Sequence, residues 1–174
     1  MRRNAFAIDE PLDHAGRCAA SQLAGKLGRG EALCSPALRA RETAAAAGLD
    51  ATVEPLIAEG DLGAWAGRTL AEVHEADPGG VGAWLMDPHA CPHGGETLAA
   101  LLLRVAGWLD AQAARDGRAI AISHAGVVKA AVVHALGAPA AAFWRVDVAP
   151  LGLTELHAHD GRWTVARVNA AVVA

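Results

Sequence analysis

Residues 30–50, GEALCSPALRARETAAAAGLD, decide the fold. A short apolar run, Glu31 to Cys34, reads as a strand, and Ser35 ends it. Pro36 then opens a helix, a position that suits proline because the first-turn amide has no intrahelical partner. The helix is expected to run to Ala47. Arg39 lies one turn into it, so its permanently charged planar fork belongs at the carboxyl end of the sheet, where helix N-termini also present bare amides. Such a junction is a seat for a phosphate or a carboxylate.

The same grammar returns downstream. Arg118 to Ser123 (RAIAIS) is a buried-type strand that runs into His124, and Val127 to Leu136 resumes as a helix. Ala125 and Gly126 leave little side chain around His124 to obstruct a ligand. Between the two junctions, Glu96 to Ala114 is an amphipathic helix with Leu98, Leu101, Leu102, Val105, Trp108 and Leu109 on one face and Arg104 off it. Upstream, Asp13 to Leu27 shows helical spacing that stops at Gly28, and Ala51 to Leu56 reads as a second strand. Glu59 to Arg68 is a glycine-rich loop, followed by a short helix through Val73 and an irregular insertion rich in glycine and proline. The last third alternates: Trp144 to Val148, Leu153 to Ala158 and Trp163 to Asn169 read as antiparallel strands, with Asp160-Gly161 as a hairpin turn. Helices alternating with parallel strands, then a hairpin, predict a three-layer α/β/α sandwich with a mostly parallel sheet, antiparallel at its C-terminal end.

A chain of 174 residues, 53% of them hydrophobic, is read as one domain over residues 1–174 with no disordered linker. The net charge of -4 and the lack of a basic stripe argue against a nucleic-acid partner. The longest apolar stretch, Ala119 to Trp144, is interrupted by His124, Lys129, His134 and Gly137-Ala138-Pro139, which argues against a membrane span. Three cysteines, Cys18, Cys34 and Cys91, and an opening without an apolar signal core suggest a reduced, cytoplasmic setting without disulfides. His89, Cys91 and His93 do not have a usual zinc spacing, and no metal is expected. His157 and His159 share one strand face and read as solvated. There is no G-x-G-x-x-G, P-loop lysine or G-x-S-x-G, so dinucleotide enzymes, P-loop NTPases and α/β-hydrolases find no support.

The pattern S-P-x-x-R-A-x-x-T-A, carried by Ser35, Pro36, Arg39, Ala40, Thr43 and Ala44, resembles the second motif of the histidine phosphatases, the superfamily of phosphoglycerate mutase. S-H-x-G at His124 is similar to their second histidine motif. E-x-x-x-G-x-x-x-G, at Glu59, Gly63 and Gly67, is similar to their proton-donor loop. P-H-G-G-E-T, with Gly94, Gly95, Glu96 and Thr97, resembles the segment ahead of their long helix, and Asp9, Pro11, Leu12, Gly16 and Arg17 match the D-x-P-L-T-x-x-G-R that follows their first motif. The resemblance implies a phosphoglycerate mutase-like fold and hydrolysis of a small phosphorylated metabolite through a phosphohistidine, with no metal or organic cofactor. Arg39 and His124 would neutralise phosphoryl charge, and Glu59 would protonate the leaving oxygen and then activate water. Asp61 is the fallback acid, and Glu96 and Ala125 are candidates to touch the pocket. A homodimer is an assembly the sequence allows.

One motif is missing. The family's first strand ends in Arg-His-Gly or Arg-His-Ala, whose histidine is the nucleophile, and the sequence contains neither tripeptide. His14 follows Pro11 at a helix start without a strand before it and is a poor substitute. The expectation is therefore a chain that lacks the family's first strand, with an upstream start about a dozen residues earlier and little activity as written. The small bacterial phosphatases, including those similar to α-ribazole phosphatase, are the branch it most resembles; a phosphoglycerate mutase fits less well. The rival reading is a non-catalytic relative that binds an anion or a partner protein.

Overall fold

The computed structural model describes residues 5–172. Three parallel strands, β1 (Glu31–Cys34), β2 (Thr52–Val53) and β3 (Ala119–Ile122), lie in the order β2-β1-β3. Leu33 pairs with Thr52 on one side and with Ala121 on the other. A separate antiparallel hairpin, β4 (Leu153–His159) and β5 (Arg162–Ala170), closes the chain. Its two-residue loop is Asp160-Gly161, with φ of 49° and 70°, the left-handed pair that a type I′ turn demands.

The pleat divides the sheet's side chains between two helical layers. Leu33 points to the layer of α5 (Leu98–Ala113) and α6 (Ala125–Ala135), where it joins Ile57, Val105, Trp108, Val127 and Phe143 in the largest core. Ile120 and Ile122 point the other way, into a cluster with Leu23, Leu27 and Ala47 beside α1 (His14–Ser21) and α2 (Leu38–Ala46). Ile57 and Val105 are both 0% exposed, each worth roughly 1.5–3 kcal/mol of burial. This is the expected α/β/α arrangement, with antiparallel strands at the C-terminal end. No helix among the described residues is long and apolar enough to cross a membrane.

Several elements differ from the sequence reading. The glycine-rich insertion contains a second helix: α3 (Leu70–Ala76) is followed by α4 (Pro78–Met86). Asp77 caps α4 by accepting from the Gly80 amide, and Pro78 occupies its first turn, so local capping outweighs the three glycines. Residues 144–148 are not a strand; Ala140–Arg145 form a 3-10 helix whose Phe143 is buried and whose Trp144 ring meets Trp84 at 4.6 Å. The second strand is cut to two residues because Pro55–Ile57 turn into a 3-10 helix. The first helix ends early, at Ser21, ahead of turns with Gly25 and Gly28 at positive φ.

β3 bonds to β1 along one edge and, among the described residues, has no strand on the other. Ala119 and Ala121 of this edge strand are exposed.

Candidate functional site

Both strand-helix junctions reach the carboxyl end of the sheet, and their side chains meet. Arg39 is the second residue of α2, and its Nη2 lies 3.0 Å from His124 Nδ1. A guanidinium only donates, so Nδ1 accepts and the His124 proton sits on Nε2. That nitrogen is 2.7 Å from Ser35 Oγ and donates to it. Ser35 is fully buried at the end of β1 and also accepts from the Ala37 amide. Both ring nitrogens of His124 are thus occupied, and the imidazole is neutral with a fixed tautomer.

The segment after Ala5 holds Arg39 from the other side. Ile8 C=O accepts from Arg39 Nη1 at 2.9 Å, and Asp9 Oδ1 accepts from the Leu38 amide at 2.7 Å. Asp9 therefore satisfies the first free amide of α2, although it lies 29 positions upstream. The segment is itself pinned by Phe6 N–H to Arg68 C=O and by Gly67 N–H to Phe6 C=O.

Glu59 approaches from the loop after the Pro55–Ile57 turn. Its carboxyl faces Gly126 in the first turn of α6, where any Cβ would collide with Oε1. Glycine at 126 is thus a condition for Glu59 to stand where it does. Burial pushes the Glu59 pKa up, and the Gly60 amide, Arg39, Arg104 and the Gly126 amide pull it part of the way back. A carboxyl so placed retains its proton to higher pH, as a proton donor to a leaving alkoxide must.

Glu96 has a different task. Its two oxygens accept from Arg104 Nε at 2.9 Å and Nη2 at 2.7 Å, a bidentate pair, while Arg104 Nη1 donates to the Leu56 and Ala58 carbonyls. The pair straps the loop that carries Glu59 to α5. The G-G-E string completes the strap: Glu96 N–H donates to Asp61 C=O, and a Cβ on Gly95 would collide with that same carbonyl. Gly63, at φ 44°, lies equally close to the His93 carbonyl. Two loops in backbone contact require both glycines. Ala125 is the exposed first residue of α6. His14 starts α1 with its Nε2 3.6 Å from Cys18 Sγ. Among the described residues no group of three or more potential metal ligands is assembled. The strap was not legible from sequence, because Arg104 and Glu96 are eight positions apart and the glutamate precedes the helix.

Burial and the Arg39 charge lower the His124 pKa to about 4, against a weaker pull upward from Asp9. In the unfolded chain an imidazole titrates near 6.5, so between the two values the unfolded state binds a proton that the folded state refuses. The resulting stability is complete above about pH 6.5 and is lost as pH falls towards 4, roughly 3 kcal/mol in all. The urea midpoint of the wild type is expected to drop across that window and that of His124→Gln to drop less. His93, whose pKa burial also lowers, contributes equally to both. Parallel declines would contradict this assignment of His124.

A half-buried arginine and a buried histidine meet at the carboxyl end of a parallel sheet, beside a carboxyl whose pKa burial raises, an arrangement able to hold an anion such as a phosphoryl group. The profile of the histidine phosphatase superfamily (branch 1) matches residues 2–171, and the chain belongs to that superfamily. A protein of Mycobacterium tuberculosis named as bifunctional is 35% identical over 159 residues, which span 87% of this chain and 43% of that protein. The chain thus covers less than half the length of this relative. Among solved structures, the mycobacterial glucosyl-3-phosphoglycerate phosphatase superposes with a TM-score of 0.81 at 26% identity, covering 97% of this chain and 92% of that one. The α-ribazole phosphatase from Shigella flexneri shares the fold, with a TM-score of 0.84 at 23% identity over 98% and 91% of the two chains.

Proposed function

We propose that this chain carries the phosphate-holding and proton-donating parts of a phosphomonoesterase site acting on a small phosphorylated metabolite. The observation that carries the proposal is the contact between Arg39 and His124, two junctions 85 positions apart that converge on one point beside Glu59. An arriving phosphate monoanion draws Arg39 onto its own oxygens, and His124 Nδ1, released from Arg39, takes up the phosphate's proton and donates back to it, so that charge-assisted hydrogen bonds replace the mutual one. Glu59 then stands ready to protonate the leaving oxygen. The likeness to a mycobacterial glucosyl-3-phosphoglycerate phosphatase supports the same reading.

The nucleophile is the missing part. The edge of β3 that no strand covers among the described residues is where a strand ending in Arg-His-Gly would bring its histidine beside Arg39 and His124. Without one, the chain as written binds phosphate and scarcely turns over. An aryl-phosphate assay tests this: the expected result is background hydrolysis, and fast turnover lost in His124→Ala would refute the missing-nucleophile part. Binding without turnover is also what a non-catalytic relative would show, and the mutual bonding of Arg39 and His124 serves that reading equally. A gain of activity on supplying the strand separates the two. The cytoplasmic setting remains part of the proposal, and the homodimer gains no support from the structure.

A further inference from the structure

The cleft beside Arg39 holds about 320 Å³, room for a small metabolite. Ser35, Pro36, Arg39, Glu59, Gly60 and Asp61 are among the residues that line it. Asp9 completes the rim. Arg39 is the one cation among the described residues that line it, against the carboxyl groups of Asp9, Glu59 and Asp61.

The two aspartates are held in place. Asp61 Oδ1 accepts from the Gly63 amide at 2.8 Å, on the loop that the Glu96 amide fastens to α5 through the Asp61 carbonyl. Asp9 Oδ1 is tied to the Leu38 amide at 2.7 Å. Neither carboxylate swings away from an incoming ligand without losing a hydrogen bond. Once a phosphate occupies Arg39, no described lining group remains to balance a second negative charge on the ligand, and fixed like charges face it instead.

Building on the phosphomonoesterase reading, we propose that Asp61, assisted by Asp9, selects the leaving group: the site takes phosphate monoesters whose alcohol part carries no second anionic group. Neutral polyol and cationic alcohol phosphates fit, and phosphorylated carboxylic acids and bisphosphates are disfavoured. Selection of this kind works by placing repulsion against the wrong ligand, as well as attraction for the right one.

Glycerol 3-phosphate and 3-phosphoglycerate test this, since they differ by a hydroxymethyl group against a carboxylate on the same frame. Their affinities for the 174-residue chain, together with those of phosphoethanolamine and orthophosphate, are measured by calorimetry at low ionic strength. Glycerol 3-phosphate is expected to bind about tenfold more tightly than 3-phosphoglycerate, with phosphoethanolamine at least equal to glycerol 3-phosphate. Asp61→Asn keeps the acceptor for the Gly63 amide and removes the charge, and it should bring the first two ligands to within about twofold. Added salt should narrow the gap in the wild type. Orthophosphate binding with equal affinities for the two esters, or a ratio that Asp61→Asn leaves alone, overturns the selection while sparing the phosphate seat. Failure of orthophosphate to bind at all overturns both.

Discussion

Extended at its N-terminus by a strand ending in Arg-His-Gly, the chain is expected to hydrolyse p-nitrophenyl phosphate about 10³- to 10⁶-fold faster than the 174-residue form. The reason is chemical. Direct attack of water on the phosphate dianion must expel the nitrophenolate in one step, whereas an imidazole held against the phosphorus expels it first and is itself displaced by water second, two easier steps. Arg39 and His124 stabilise the equatorial charge in both steps, and Glu59 supplies the proton in the first. The added strand would pair with the edge of β3 that carries no strand among the described residues. The same extension with Arg-Gln-Gly should restore the sheet without the rate, and His124→Ala within the active form should lose most of the gain. Equal activity of the histidine and glutamine extensions would remove the phosphohistidine from the account.

Arg104→Met should cost about 3 kcal/mol of folding stability, a drop in the urea midpoint that circular dichroism reads directly. The substitution leaves the Glu96 carboxylate and the Leu56 and Ala58 carbonyls without their shared donor. Both side chains of the pair are about one-fifth exposed, 20% and 19%, so the figure is at the lower end of what breaking a buried pair costs. Replacing both partners, Arg104→Met with Glu96→Met, should recover part of the loss, since the unpaired charge then disappears. A double variant no better than the single one would mean that the carbonyl contacts, and not the ion pair, hold the Glu59 loop.

The fold was legible in sequence wherever one residue type settles a local conformation. Pro36 and Ser35 marked the β1-α2 junction, the Leu98 to Leu109 stripe marked α5, and Asp160-Gly161 marked the hairpin. The reading failed where neighbours outside the segment decide. Residues 144–148 alternate like a strand, but the contacts of Phe143 and Trp144 with the core and with Trp84 turn the chain there. The PGGVG opening of α4 looked irregular because the Asp77 cap that stabilises it is a matter of one hydrogen bond. At the site, Arg39, His124 and Glu59 were legible because each stands in a short string with its own local constraints. Ser35 as the acceptor for His124, and Asp9 as the cap of α2, were not: each acts across a long sequence separation that no local pattern records. Glu96 was placed near the pocket by its motif; its pair with Arg104, which braces the Glu59 loop, was not foreseen.

The most direct test of the account is a calorimetric titration of orthophosphate into the wild-type chain and into Arg39→Gln. The account predicts saturable binding by the wild type that Arg39→Gln weakens about tenfold or more, because a charge-assisted contact to phosphate is lost. Equal binding by the two proteins would show that the anion sits elsewhere, and the convergence of Arg39 and His124 would then be a feature of the fold without a phosphate to explain it.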